Sequence, residues 1–292
     1  MSDPYAHPET QALLALALRE DLRFTGDLTV QAVVPAGARL RARIVAKQAG
    51  VICGLPAFAS VMAHLGGGVR IAACAEDGRA VAAGEAVLLA DGPAATLLMG
   101  ERTALNLAQR LSGTATLARQ CAAAVAGTRA RVLDTRKTTP GMRVLQKHAV
   151  RVGGAANHRI GLFDQVLIKE NHIALMPGGS PAAAVAQARA RLGHKVPMQV
   201  EIERLDDLPG VIAAGASSVL LDNMDPGACA EAVRRRDALG AAARAVELEA
   251  SGGITLASLR AYALSGVERI SLGALTHSAE CLDLSMRCEP VA

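Results

Sequence analysis

The chain has 292 residues, of which 51% are apolar and only 2% aromatic, and its formal net charge is +4. This length permits one large domain or two ordinary ones with a sizeable core. The mild charge and the few aromatic side chains argue against a nucleic-acid partner. The polar N-terminus and the lack of apolar runs of about 18 residues predict neither a signal peptide nor a membrane span.

The six cysteines form no C-x-x-C pair and no cluster with histidine along the sequence. A disulfide framework or a zinc site is therefore not expected. Scattered cysteines in a chain of this size are typical of a reducing compartment, which predicts a cytoplasmic protein.

The first predicted elements belong to an α+β domain spanning residues 1–115. They are a helix at 9–21, a half-buried strand pair within 38–54, strands near 69–75 and 86–90, and a helix at about 94–111. The last helix places Arg102, Asn106 and Gln109 on one polar side. The sequence SGTAT at 112–116 is interpreted as a domain boundary.

Strand and helix alternate in the next predicted domain, 116–275. Apolar strands are predicted at 131–134, 166–169, 198–202, 218–222, 245–249 and 268–272, and helices at 143–151, 181–192, 205–214, 226–239 and 255–265. This rhythm predicts parallel strands covered by helices, as in an α/β barrel. A seventh strand is expected near 120–126 or within 150–160. Residues 276–292 are predicted to return to the sheet of the first domain.

Polar residues and glycines follow the predicted strands, where the active site of such a barrel gathers. The early strands end in cations, the middle strands in carboxylates and the last strands in glycine-rich turns. In chain order these positions include Arg136, Lys137, Lys169, Glu201, Asp222, Ser251, Gly252 and Gly273.

One extended ligand with three different parts would explain why cations, carboxylates and glycine-rich turns follow successive strands. Glu201 and Asp222, on neighbouring strands, are predicted to hold Mg²⁺ together with substrate phosphates. The backbone N–H groups around Ser251 and Gly252 are predicted to bind a phosphate. The cations are predicted to bind a second anion.

Eight short motifs, ERTALN, DTRKTTPG, NHR, VLIKEN, VEIE, LLDNM, EASGGI and GALTHSA, occur in one order along the chain. In this order and spacing they resemble the quinolinate phosphoribosyltransferase family. The resemblance implies an α/β sandwich domain and an open, seven-stranded α/β barrel. It also implies the conversion of quinolinate and phosphoribosyl pyrophosphate to nicotinate mononucleotide, pyrophosphate and carbon dioxide, a step of NAD biosynthesis.

The same resemblance implies roles for individual residues and a homodimer with a shared active site, with higher oligomers left open. Residues implied to bind quinolinate are Arg136, His158, Arg159 and Lys169, joined by Arg102 of the partner subunit. Residues implied to surround phosphoribosyl pyrophosphate and magnesium are Lys137, Glu201, Asp222, Ser251, Gly252, Gly273 and His277.

Other interpretations stay open at this point. A paralogue could act on a different heteroaromatic acid, and a phosphate-ligand sensor could keep the barrel without catalysis. Nicotinate phosphoribosyltransferase would handle one carboxylate, for which four cations are more than needed. Locally, DTRKTTPG is also compatible with a helix start capped by Thr138 or Thr139, with Pro140 at the first helical position.

Overall fold

The computed structural model describes residues 3–176 and 178–291, and this part of the chain forms two compact units. The first unit comprises residues 3–119, 138–154 and 275–291. The second comprises the described residues of 120–137 and 155–274.

The first unit is built on a four-stranded antiparallel sheet with the order β12-β1-β5-β3, and β2 pairs separately with β4. Its strands are β1 (Arg39–Ala46), β2 (Gly50–Val51), β3 (Arg70–Ala73), β4 (Ala80–Val81), β5 (Ala86–Pro93) and β12 (Leu284–Val291). Its helices are α1 (Pro8–Leu22), α2 (Leu28–Val33), α3 (Leu55–His64), α4 (Ala94–Ala124), which runs on past residue 119, and α5 (Arg143–Val152). The prediction that the C-terminal segment returns to this sheet is confirmed, because β12 pairs with β1 along its whole length.

One hydrophobic cluster joins these helices to the sheet. Leu14 of α1, Phe58 of α3, Leu111 of α4 and Leu145 of α5 are all buried in it, together with Leu88 of β5. The segment Thr138–Gly154, which the sequence assigned to the barrel domain, therefore packs in the first unit. It does so because the apolar face of α5 is covered there.

The predicted strand pair within 38–54 is wrong. The chain does form β1 and β2 in this region, but the two strands lie in different sheets. β1 is flanked by β5 and β12, so both of its edges are already hydrogen-bonded. The alternation of apolar and polar residues showed a half-buried strand without showing its partner.

The helix predicted at 94–111 continues without a break to Ala124, through the predicted boundary. The small residues there permit close packing. The hydroxyl of Ser112 accepts from the N–H of Cys53 and donates to its carbonyl, both at 2.9 Å, and the Thr116 hydroxyl accepts from Val51 N–H at 2.9 Å. Neither α4 nor any other helix in the described ranges is long and apolar enough to cross a membrane.

Gly113 tests this packing. A Cβ atom at this position would lie 1.8 Å from the backbone carbonyl oxygen of Glu280, which no side-chain movement relieves. We expect Gly113→Ala to lower the free energy of unfolding by about 3 kcal/mol or to prevent folding. Thermal unfolding monitored by circular dichroism measures the effect.

Gly227→Ala in another helix is the matched control, since the nearest atom to its new Cβ would be a side-chain oxygen of Asp225 at 3.2 Å. A wild-type midpoint for Gly113→Ala would contradict the close packing of α4.

The second unit contains a sheet whose six strands are all parallel, in the order β6-β11-β10-β9-β8-β7. The strands are β6 (Arg131–Leu133), β7 (Val166–Ile168), β8 (Met198–Ile202), β9 (Ser218–Asp222), β10 (Glu247–Ser251) and β11 (Arg269–Ser271). The helices are α6 (Glu170–Ala174), α7 (Pro181–Leu192), α8 (Leu208–Ala213), α9 (Pro226–Ala238), α10 (Ala241–Arg244) and α11 (Leu256–Leu264). A 3₁₀ turn at Leu205–Asp207 precedes α8, and a short α12 (Ala274–His277) follows β11. The six predicted strands and their parallel arrangement are thus confirmed.

A seventh position beside β6 is occupied by a single bridge. Ala156 pairs in parallel with Leu133, its N–H donates to Val132, and its carbonyl accepts from Asp134. This agrees with the expected extra strand within 150–160, although it is only one bridge long. The alternative near 120–126 is wrong, because α4 occupies those residues up to Ala124.

Candidate active site

The candidate residues of the second unit lie at one edge of its sheet, because all strands point the same way. Crossing the sheet from β7 to β6, this edge carries Lys169, then Glu201, Asp222, Ser251 with Gly252, Gly273, and finally Arg136 with Lys137. His158 and Arg159 follow the Ala156 bridge on the far side of β6. Carboxylates and glycine-rich turns therefore occupy the middle of the edge, and cations occupy its two ends.

A buried polar network lies below this edge, on the face shared by Gln199, Glu249 and Arg269. The Gln199 amide donates to Glu249 Oε2 at 2.9 Å, and Arg269 Nε donates to the same oxygen at 2.7 Å. Glu249 and Gln199 are fully buried. Burial by itself raises the pKa of Glu249, but neighbouring His158 and the Arg269 guanidinium lower it to about 2.

His158 is part of this network, and both of its ring nitrogens face protein groups. Nε2 lies 2.9 Å from Gln199 Oε1 and 3.4 Å from Glu249 Oε1, while Nδ1 accepts from the N–H of Arg159 at 2.7 Å. This pattern places the imidazole proton on Nε2. The geometry gives His158 a part in fixing the segment that carries Arg159.

Gln199 and Glu249 were not among the residues predicted for the site. The sequence held a signal for them, since each lies two residues before a selected position, Glu201 and Ser251. Side chains two apart on a strand share a face. Two buried polar residues on the face that bears the site residues indicate a network beneath the site.

The cationic end brings two guanidinium groups close together. Burial, and then the positive charge of Arg136, lower the pKa of Arg159. Arg159 is held by a hydrogen bond of 2.9 Å from Nη1 to the carbonyl of Gln165. Asp134, which is fully buried, fixes the preceding segment by accepting from His158 N–H and from the Asn157 amide. Two like charges held in proximity favour an anionic ligand between them.

The opposite end pairs a cation with a buried carboxylate. Lys169 Nζ lies 2.8 Å from Glu201 Oε2, and the glutamate side chain is only 5% exposed. Burial raises the pKa of Glu201 to about 7 in spite of Lys169, helped by a hydrogen bond to Glu170 and by the charge of Asp222. The ring of His172 accepts a hydrogen bond from Lys169 N–H through Nδ1 at 2.9 Å and fixes the backbone there.

The turns after β9 and β10 approach each other closely in the middle of the edge. Asn223 adopts a left-handed conformation with φ 52°, and its N–H donates to the Ser251 carbonyl at 2.9 Å. Gly252 has φ +100°, and a Cβ there would lie 2.2 Å from the Asn223 side chain. Glycine is thus required for the fold of this turn.

Arg102 and His277 belong to the first unit. Arg102 lies on α4 with its side chain 60% exposed, beside a surface cavity of about 540 Å³ that Glu20, Asp21 and Asn106 also line. His277 is exposed, and its Nδ1 lies 2.6 Å from the Ser278 hydroxyl.

The interpretation of DTRKTTPG as a capped helix start is wrong. α5 begins only at Arg143, after Met142, and none of the side chains that the structure describes caps it. The N–H of Thr139 instead donates to the Gln146 side chain at 2.8 Å. The motif is thus a loop that follows β6 and precedes α5.

Both halves of the chain match models of one protein family. Residues 27–112 match the quinolinate phosphoribosyl transferase N-terminal domain, and residues 114–287 match the C-terminal domain. The chain belongs to the quinolinate phosphoribosyltransferase family.

Curated relatives and solved structures agree with this membership in the quinolinate phosphoribosyltransferase family. A probable nicotinate-nucleotide pyrophosphorylase [carboxylating] of Bacillus subtilis is 44% identical over 96% of this chain and 93% of its own. The corresponding Mycobacterium leprae protein is 42% identical over 92% of this chain and 94% of its own. The nicotinate-nucleotide pyrophosphorylase structure from Francisella tularensis superposes with a TM-score of 0.89 at 36% identity, covering 99% of this chain and 100% of that one.

Glu249→Gln tests the network beneath the site. The folded-state pKa of Glu249 lies below its ordinary value of 4.5, so the ionised form stabilises the fold. We expect the variant to lose about 3 kcal/mol at neutral pH, because Arg269 loses a buried counter-charge. This deficit should stay constant down to about pH 5 and shrink as the pH falls towards 2, where wild-type Glu249 also becomes protonated.

Thermal unfolding of both chains between pH 7 and pH 3.5 provides the measurement. Glu231→Gln on α9 is the control, since Glu231 pairs with Arg234 and Arg235 at the surface and the variant should keep an unfolding midpoint close to wild type. A deficit for Glu249→Gln that grows on acidification would contradict the direction of the pKa shift.

Proposed function

We propose that this chain transfers the phosphoribosyl group of phosphoribosyl pyrophosphate to quinolinate. The adduct then loses carbon dioxide, and the products are nicotinate mononucleotide and pyrophosphate, as in NAD biosynthesis. The observation that carries this proposal is the single sheet edge on which carboxylates and glycine-rich turns lie between two groups of cations. A dicarboxylic acid and a polyphosphate are the two anions that such an edge would hold together.

Quinolinate is assigned to the cations. Arg136 and Arg159 are close enough to lower the pKa of Arg159, and Lys169 lies at the other end of the edge. Arginine forks bind carboxylates in two-point contacts, and two carboxylates need more than one such cation. A monocarboxylic acid would leave part of this charge uncompensated. His158 supports this group from below, through its contact with the Arg159 N–H.

Phosphoribosyl pyrophosphate and Mg²⁺ are assigned to the middle of the edge. The donor set fits the ion, since Glu201 and Asp222 supply hard oxygen ligands from adjacent parallel strands. When bound, Mg²⁺ would neutralise charge on the pyrophosphate. Ser251, Gly252 and Gly273 offer backbone groups to the phosphates, and Lys137 and His277 are assigned as further contacts.

In this structure Lys169 is paired with Glu201, so the two zones are linked. Binding of an anion to Lys169 and of a cation to Glu201 would replace one ion pair by two. We infer that quinolinate and the metal ion favour each other's binding. An anion bound to Lys169 frees Glu201 for the metal ion, and a metal ion bound to Glu201 frees Lys169 for the anion.

The proposed chemistry depends on positioning. Cations that hold both carboxylates would fix the pyridine nitrogen against the anomeric carbon of the ribose. The nitrogen–carbon bond forms as the carbon–oxygen bond to pyrophosphate breaks, and Lys137 stabilises the negative charge of the leaving group. The 2-carboxylate is then lost as carbon dioxide, since the positively charged ring accepts the electron pair left on carbon 2. A proton from solvent completes the product.

We also propose that the chain acts as a homodimer in which Arg102 serves the site of the partner subunit. The exposed position of Arg102 beside a cavity supports this role. Its guanidinium would add to the cations assigned to quinolinate.

An assay of the purified chain with quinolinate, phosphoribosyl pyrophosphate and Mg²⁺ tests the function directly. We expect nicotinate mononucleotide and carbon dioxide in equal amounts, and loss of turnover when Mg²⁺ is removed with a chelator. Turnover only with a different heteroaromatic acid would instead identify a paralogue, and the absence of any turnover would favour a ligand sensor.

Arg136→Ala tests the division of the edge into zones. We expect the affinity for quinolinate to fall about 10- to 100-fold, because a charge-assisted contact to a carboxylate is lost. The affinity for phosphoribosyl pyrophosphate with Mg²⁺ should stay close to wild type. Isothermal titration calorimetry measures both, and Arg234→Ala on the exposed face of α9 is the matched control. Equal weakening of both ligands would contradict separate zones.

Mixing two inactive variants tests the shared site. Arg102→Ala and Lys137→Ala should each be inactive alone, since each site needs both residues. If Arg102 serves the partner subunit, each heterodimer has one intact site, and random exchange restores about a quarter of wild-type activity. Subunit exchange is verified separately, for example with differently tagged chains. If exchange occurs and activity is still not recovered, Arg102 does not serve the partner subunit.

A further inference from the structure

Four polar side chains meet in the first unit, outside every residue assigned to the reaction. Tyr5 precedes α1, Cys53 precedes α3, Asp77 lies between β3 and β4, and His148 lies on α5. These positions are far apart in the sequence, which showed no cluster of metal ligands. Folding nevertheless brings Cys53 Sγ, a carboxylate oxygen of Asp77 and a ring nitrogen of His148 within 4.8 Å of one another.

We propose that Cys53, Asp77 and His148 form a binding site for a transition-metal ion, and that Zn²⁺ fits it best. A thiolate, a carboxylate and a neutral imidazole are the three ligand types that zinc takes in proteins. The thiolate and the carboxylate together carry two negative charges, which balance the charge of the ion. The soft sulfur ligand disfavours Mg²⁺ and Ca²⁺, which select oxygen.

The two distances from the Asp77 oxygen to its partners fit a tetrahedral ion. Asp77 Oδ2 lies 3.6 Å from Cys53 Sγ and 3.4 Å from His148 Nε2. Bond lengths of about 2.0–2.3 Å from zinc to these ligand types place neighbouring donors of a tetrahedron about 3.3–3.6 Å apart. The Asp77 oxygen thus already stands at the ligand spacing from both of its partners.

The surrounding hydrogen bonds hold the ligands in place, as metal sites require. Gly54 N–H donates to Asp77 Oδ1 at 2.9 Å, which leaves Oδ2 directed at the other ligands, and the Tyr5 hydroxyl donates to Oδ2 at 2.5 Å. The backbone of Cys53 is fixed on both sides by Ser112. The Asp77 carboxylate and the backbone of Cys53 are therefore fixed by the fold before any ion binds.

The three ligands differ in their exposure to solvent, which leaves a path by which an ion could enter. Cys53 is fully buried, whereas the side chains of Asp77 and His148 are 15% and 20% exposed. An ion would reach the thiol past these two residues, and a water molecule could complete the tetrahedron from that side. The site would link α5 to the β3–β4 connection and the start of α3, which makes its role structural.

Metal content tests the proposal directly. The full-length protein is equilibrated with Zn²⁺, dialysed, and analysed by mass spectrometry for bound metal. We expect one zinc per chain, lost in Cys53→Ala and in His148→Gln. The matched control is Cys121→Ala, which removes another fully buried thiol and should keep the ion. Addition of Co²⁺ should give the absorption of a tetrahedral ion with a thiolate ligand.

The exposed cysteines could also bind metal, so a variant with Cys74, Cys281 and Cys288 replaced by serine is tested as well. We expect this variant still to bind one Co²⁺ per chain. This variant keeps the test decisive if Cys53→Ala does not fold. Absence of the thiolate absorption in it would overturn the proposal, as would zinc retained by a folded Cys53→Ala chain. In either case the four side chains form only a hydrogen-bonded cluster.

Discussion

The parallel direction of the six strands in the second unit is the constraint on which the candidate site depends. Residues separated by more than 100 positions, such as Lys169 and Gly273, meet at one edge because every strand ends there. An antiparallel pair would send alternate strand ends to opposite edges. Because the apolar strands are continuous and separated by helices, the chain has no simpler way to bury them than in this parallel sheet.

The sheet edge in turn rests on a buried ionic network. Burying Glu249 costs free energy, and this cost is offset by Arg269 and the Gln199 amide at one of its oxygens and by His158 near the other. A buried ionic network of this kind adds little to stability compared with an apolar core. It does, however, permit few alternative arrangements of the side chains in it. His158 and the segment leading to Arg159 are thereby held in one orientation. The network thus connects the packing of the parallel strands of the second unit to the placement of a cation at the site.

Small residues determine how closely backbone segments approach in both units. Gly113 lets α4 pass against the carbonyl of Glu280, and Gly252 lets the turn after β10 pass against Asn223. In the first case a stretch that resembles a flexible boundary is part of a continuous, tightly packed helix. In the second, a glycine selected for phosphate contact is equally required by its neighbouring turn. The presence of a glycine in the sequence does not distinguish close backbone packing from phosphate contact, because both require a residue without a side chain.

The sequence by itself determined the alternation of strands and helices, the parallel sheet and the family. These follow from local periodicity and from motifs whose residues are near neighbours in the chain. Only the tertiary structure decided that β1 and β2 lie in different sheets, that Thr138–Gly154 packs in the first unit, and that Glu249 lies beneath the site. It also brought Cys53, Asp77 and His148 together. These features depend on contacts between residues far apart in the chain, and a local pattern shows that a side chain is buried without showing what buries it.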